Sequence, residues 1–248
     1  MFSQYSNNLI IAADDFGVSK LANERILELA RGKKLDRVAV MVGGIYSKEE
    51  IKALLDSGVK LDIHLYVLLA DYFQMRGFEA RENIFKRIFV FLVDMTSGRY
   101  SSKKVRLVWQ TQIEQFKKTF GKYPDGINSH EHLHFFPGLF RSALRLKDKF
   151  SVPYLRLGKE KMKLPWNNVA FVLDNLRRVD VRLNKLVFAP SGDPKIFPGE
   201  LNTSDYLVSF DWIKNPAKFF ERLPAATQTE LVFHPERDDE FKFLQENF

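Results

Sequence analysis

Cysteine is absent from the 248 residues. That excludes disulfides, thiolate metal sites and a cysteine nucleophile, and it fits a reducing compartment. Long apolar runs are missing too. The one nearest the start, "LIIAA", falls far short of the ~20 residues a membrane helix needs. The opening "MFSQYSNN" lacks the basic-then-apolar plan of a secretory leader. A cytoplasmic protein with no membrane span is therefore expected. No glycine-rich dinucleotide loop or Walker sequence occurs, which weakens nucleotide binding. Nor is there a helix-turn-helix spacing, a zinc finger or an RNP-like aromatic strand. The net charge of +7 is spread through stretches such as "RYSSKKVR" and "LRRVDVRLNK". It reads as a solvated basic surface, and no nucleic-acid partner is expected. Self-association into a homodimer stays open.

What is present is an ordinary globular balance, 45% hydrophobic and 28% charged, with length enough for a sizeable core. Short apolar runs alternate with helical patterns. "NLIIAA" (8–13), "RVAVMV" (37–42), "KLDIHL" (60–65), "DGINS" (125–129), "PYLRL" (153–157), "KLVFA" (185–189) and "TELVF" (229–233) read as strands. Helices are expected at 20–32, closed by Gly32, and from a Ser47/Glu50 capping box to Asp56. Others fit about 79–96, 103–120, 137–150, 166–178 and 215–223. Strand–helix alternation implies a parallel α/β fold. So many units in this length suit a closed or nearly closed (β/α) barrel in a single domain, 1–248, with an open doubly wound sheet as runner-up.

Histidine is scarce, and its placement is uneven. Three of the five fall in "NSHEHLHFF", as His130, His132 and His134. In α/β folds the active site lies at the C-terminal ends of the strands. All five histidines fall there: the three above, His64 and His234. So does the acidic pair Asp14–Asp15. Adjacent carboxylates after an apolar strand are costly to bury without a cation or hydrogen bonds. They could equally form a turn or cap the helix that follows. An extended "HEHLH" would point all three histidines to one side, whereas a turn would leave only the first at the site. Together these residues suggest two histidines and one aspartate on a divalent ion, with open positions for water and substrate. A second aspartate could then take a proton, and a histidine opposite could supply one to a leaving group.

"LIIAADDFGVSKLANERILELARGK", "DIHL", "GINSHEHLHFFP" and "ELVFHPE" occur in the order and spacing of the YdjC-like (ChbG/HpnK) carbohydrate deacetylases, which the chain resembles from position 9 to 235. The resemblance implies an irregular, TIM-like (β/α) barrel. It also implies a hydrolase that removes N-acetyl groups from amino sugars, using Mg²⁺ or Zn²⁺. By position, Asp15, His64 and His130 would be the metal ligands, Asp14 the catalytic base and His234 the acid or transition-state partner. His132 and His134 would line or support the site. Arg156 would touch substrate or pair with a site carboxylate. Four positions depart from the family pattern. Asn128 replaces an aspartate, Asp62 and Glu236 each replace a glycine, and "YVLLADYFQM" lacks the usual small polar character after His64. Asn128 can keep a hydrogen bond behind a ligand but supplies no charge. The alternatives are a sugar O-acetyl esterase or other metal-dependent amidohydrolase, and a catalytically silent carbohydrate-binding relative.

Overall fold

The computed structural model describes residues 8–67, 93, 101–136, 138–159, 201–223 and 227–248. Its strands are β1 (Leu9–Phe16), β2 (Arg37–Val40), β3 (Lys60–Leu65), β4 (Gly126–Ser129), β5 (Tyr154–Leu155), β6 (Tyr206–Ser209) and β7 (Thr229–Phe233). The helices are α1 (Lys20–Arg31), α2 (Lys48–Asp56), α3 (Ser102–Phe120), α4 (Leu139–Lys149), α5 (Pro216–Glu221) and α6 (Asp238–Asn247). The expected strand at 185–189, the helix at 166–178 and that at 79–96, Val93 apart, lie outside the described residues, as does Pro137.

Every strand pair is parallel, in the order β5-β4-β3-β2-β1-β7-β6. The first described strand therefore pairs with the last, an order consistent with a barrel, with no strand pairing described between β5 and β6. A doubly wound sheet would instead reverse its order at an internal switch point. Two observations show that the sheet curls. Tyr154 Oη on β5 donates to Glu230 Oε2 on β7 across 2.5 Å, although four strands lie between them in the sheet order. In a flat sheet, at about 4.8 Å per strand, they would stand roughly 24 Å apart. The β5 and β6 edges are also bridged: Leu155 N–H donates to Asn202 O (3.2 Å) and Lys159 N–H to Ser204 O (3.1 Å).

The strands are apolar because both faces are covered. Val38, Val40, Leu61, Ile63, Ile127, Leu231 and Phe233 are all buried. Outside them, α1 turns Ile26, Leu27 and Ala30 inward, and α3 buries Val105, Trp109, Ile113 and Phe116. Local chemistry sets the helix ends. Ser19 caps α1, the Ser47/Glu50 capping box opens α2, and Gly121 closes α3 in the left-handed region at φ 73°. Gly32 does cap α1, but at φ −72°. The left-handed residue there is Lys33, at φ 58°. Strand β6 and helix α6 were not foreseen. β6 is only four residues long, and α6 buries little beyond Glu240 and Leu244, too weak a period to read.

Charged side chains occupy the inside of the curl. Arg37 on β2 donates to Asp62 on β3 through Nε (2.8 Å) and Nη2 (2.5 Å), and its guanidinium lies 4.0 Å over the Tyr154 ring. Gly126 on β4 leaves them room, since a Cβ there would collide with Asp62 Oδ1 and Arg37 Nη2. Asp62, the residue in place of the family glycine, is thus the partner of a buried arginine. Gly126→Ala should lower stability by about 2–4 kcal/mol, from overpacking and a disturbed buried ion pair. Urea unfolding would read this as a lower midpoint with an unchanged slope.

Candidate metal and catalytic site

A break in β1 prepares the site. Consecutive strand residues point to opposite faces, so Asp14 and Asp15 should diverge. Instead the register with β2 shifts between Ala13 and Phe16, and Asp15 takes φ 70°. Such a bulge re-aims one side chain, and aspartate tolerates the left-handed region better than most residues. Both carboxylates therefore reach the same imidazole. Asp15 Oδ1 lies 3.2 Å from His64 Nε2, and Asp14 Oδ2 lies 3.9 Å from His64 Nδ1. The loop beyond is clamped by Asn23, buried on α1. Its Oδ1 accepts from Gly17 N–H (2.7 Å) and its Nδ2 donates to Ile45 O (2.6 Å).

His130 completes a triangle. Its Nδ1 is 3.2 Å from Asp15 Oδ1 and 3.3 Å from His64 Nε2. Ligand atoms tetrahedrally arranged about 2.0–2.1 Å from one zinc-like ion lie roughly 3.3–3.4 Å apart. Asp15, His64 and His130 could therefore hold a metal ion, and they are the one such group among the described residues. Charge agrees with this. Asp14, Asp15, Asp62 and Glu230 face only two guanidiniums, Arg37 and Arg156, in the linked interior. Two negative charges remain before the histidines are counted, an imbalance a divalent cation would offset.

Asn128 sets the tautomer of His64. The β3–β4 register places the two side by side, and Asn128 Oδ1 sits 2.6 Å from His64 Nδ1. An amide oxygen only accepts, so Nδ1 carries the proton and the neutral ring offers the lone pair of Nε2 to the triangle.

Asp14 is 2% exposed, and its Oδ2 accepts from Arg156 Nη1 (2.7 Å). Burial favours the neutral acid, but the charge and hydrogen bond of Arg156 lead the interactions that outweigh it and lower its pKa to about 2. Across the site, His234 accepts the opposite fate. Burial disfavours its charge, yet Glu240, Asp15 and Asp14 raise its pKa to about 9. Glu240 also accepts the His234 backbone N–H at 2.6 Å, which fixes the residue beyond β7. Glu236, the residue in place of the second family glycine, accepts from Ser19 Oγ (2.7 Å) and ties this loop to the one after β1.

The remaining histidines part company. Glu131 and His132 both adopt positive φ, 51° and 53°, so "HEHLH" folds as a 3-10 turn broken by two left-handed residues and does not extend. Only His130 enters the triangle. His132 stacks on Phe135 (5.2 Å, 7° between planes) and meets Trp212 edge-on at 5.5 Å. Burial, with help from His134 and Arg156, pushes its pKa well down and keeps it neutral. His134 has both nitrogens engaged: Nε2–H donates to Arg156 O (2.8 Å) and Nδ1 accepts from Ser129 Oγ (2.6 Å). Its burial lowers the pKa to about 3. It braces the backbone at Arg156.

Sequence reading passed over Glu230 and Tyr154. Glu230 Oε1 accepts from Arg156 Nε at 2.6 Å, and both side chains are fully buried. The available signal was a carboxylate inside the apolar strand "TELVF", which needs a partner to be buried at all.

A carbohydrate deacetylase of Oceanobacillus iheyensis is 25% identical over 228 residues, covering 86% of this chain and 91% of that one. A chitooligosaccharide deacetylase of Escherichia fergusonii is 27% identical over 134 residues, 53% of this chain and 52% of that one. Among solved structures, an Enterococcus faecalis protein named for cellobiose-phosphate cleavage superposes with a TM-score of 0.57 over 96% of this chain and 84% of its own, at 18% identity. That likeness concerns the fold. The family model described as YdjC-like protein matches residues 8–247, and the chain belongs to the YdjC-like family.

Proposed function

We propose that the protein is a metal-dependent deacetylase that hydrolyses the N-acetyl group of an amino sugar or short N-acetylated oligosaccharide. The observation that carries this is the Asp15–His64–His130 triangle, with the Asp14 carboxylate beside it. Relatives named as carbohydrate and chitooligosaccharide deacetylases support the substrate class. We read the fold as one irregular TIM-like (β/α) barrel domain, with the site at the C-terminal ends of its strands. No helix among the described residues is long and apolar enough to cross a membrane.

Asp15, His64 and His130 would hold the ion. When bound, a divalent ion such as Mg²⁺ or Zn²⁺ polarises an acyl carbonyl and acidifies water at neutral pH. Asp14 is ionised at any physiological pH and takes the proton of the attacking water, while Arg156 keeps the carboxylate in place. His234, charged at neutral pH, donates its proton to the departing nitrogen, since an amine leaves far more readily than its anion. Asn128 holds His64 in the ligating tautomer. His132, packed edge-on against Trp212, would support the site from the turn that carries His130.

Incubation with Zn²⁺, Mg²⁺, Mn²⁺ or Co²⁺ and a panel of N-acetylated sugars should release acetate, and a chelator should abolish it. Asp15→Ala, His64→Ala and His130→Ala should each weaken metal binding at least about 100-fold by calorimetry. A metal-loaded protein inert toward every N-acetyl sugar would sink the proposal, and release from O-acetyl sugars alone would redirect it to an esterase.

Two further outcomes concern single residues. kcat should fall as pH rises through the pKa of His234, because only the imidazolium donates. That limb should lie at or below about 9, since a bound dication opposes the charge. His234→Gln should lower kcat about 100-fold or more and remove the limb from the pH–rate profile. Asn128→Asp restores a negative partner behind His64 and should tighten metal binding about tenfold, read by calorimetric titration. Unchanged affinity would remove Asn128 from the account.

A further inference from the structure

Arg156 is fully buried, and its planar guanidinium bonds from two separate nitrogens: Nε to Glu230 Oε1 at 2.6 Å, and Nη1 to Asp14 Oδ2 at 2.7 Å. An arginine meeting a carboxylate ordinarily pairs through two parallel bonds. Glu230 meets Arg156 through Nε alone, and Nη2, the nitrogen that would form the second prong, is buried without a hydrogen-bond partner among the described residues. Tyr154 Oη donates to Glu230 Oε2 at 2.5 Å, and the same hydroxyl accepts Ser204 N–H at 3.3 Å. The Tyr154 ring is held in turn by the Arg37 guanidinium 4.0 Å above it, which Asp62 anchors.

We infer that Glu230 is a positioning residue for the reaction: its carboxylate, fixed by Tyr154, holds Arg156 through Nε, so that Nη1 stays turned toward Asp14 and orients the carboxylate that takes the proton. The role in turnover rests on the deacetylase reading, while the geometric role does not. Tyr154 is the discriminating element, since it touches neither Asp14 nor any residue of the metal triangle. Remove its hydroxyl, and the Glu230 carboxylate loses the bond that fixes its orientation. The guanidinium it holds through Nε is then free to shift, and Nη1 drifts from Asp14. Glu230→Gln acts at the same joint from the other side. It keeps an acceptor for Nε but removes the charge that holds the guanidinium.

A merely structural role would lower stability and, through it, every activity parameter together. Positioning acts on kcat alone. Tyr154→Phe and Glu230→Gln should therefore each lower kcat about tenfold at saturating sugar, with KM and the calorimetric metal affinity within about twofold of wild type. The assay is run well below each variant's own melting temperature, measured by calorimetry. Losses in KM or metal affinity as large as that in kcat would overturn the inference, as would unchanged kcat in Tyr154→Phe. Should Glu230→Gln fail to fold, Tyr154→Phe decides alone. A crystal structure of Tyr154→Phe supplies an arm independent of turnover. Arg156 is expected to shift with the released Glu230 carboxylate, with Nη1 beyond hydrogen-bond reach of Asp14; Nη1 still at its wild-type distance would overturn the inference. If the wild type releases no acetate from any sugar, the deacetylase reading fails, and this structural arm still decides the geometry.

Discussion

The bond from Arg156 to Asp14 and Glu230 is the interaction on which the site depends. A guanidinium cannot be buried alone, because the loss of hydration is too costly. Here it is shared between carboxylates from β1 and β7, while Arg156 directly follows β5, at the far edge of the sheet. The pairing therefore requires curvature. It also accounts for the flanking devices: His134 grips the Arg156 carbonyl, Tyr154 occupies the spare oxygen of Glu230, and Arg37 with Asp62 fills the space under the tyrosine ring. Gly126 gives up its side chain so that this last pair fits.

The second constraint is the bulge at Asp15. A regular strand would present one aspartate to the interior and the other to the helices outside. With the bulge, one carboxylate joins the ligand triangle while its neighbour faces Arg156. Two adjacent residues thereby acquire opposite tasks. Asp14 is held by a cation, and Asp15 lies open to one. His64 stands between them, with one nitrogen near each carboxylate and Asn128 deciding which nitrogen carries the proton. The backbone strain of a left-handed aspartate, on the order of 1 kcal/mol, is offset by the Asn23 clamp and by the strand pairing on both sides.

Much of this was legible in the chain. β3 and β7 match their expected runs residue for residue, β3 through its strict alternation of polar and apolar positions. The capping box at Ser47 and Glu50 was equally plain, since its chemistry is local. So was the coincidence of histidines and acids at strand ends. The "HEHLH" stretch was ambiguous for a definite reason. Whether it extends or turns depends on two residues adopting positive φ, and neither Glu131 nor His132 announces that conformation as a glycine would. Spacing alone therefore could not separate a three-histidine clamp from one ligand with two braces. Charges inside strands were visible as letters, yet their partners were not. Arg37 and Asp62 are 25 residues apart, and Arg156 and Glu230 are 74.

By itself the sequence determined the alternation of strand and helix, the supply of donors at the strand ends and the family. These follow from local periodicity, capping and motif order, which need no knowledge of what lies opposite. Only the tertiary structure decided which nitrogen and which oxygen meet. The bulge chose the direction of Asp15, the left-handed turn drew His132 and His134 away from the triangle, and the curl brought Glu230 to Arg156. Each of these depends on the placement of atoms from strands distant in sequence. A period of two or 3.6 residues cannot encode that placement, because it specifies which face a side chain takes and not what waits there.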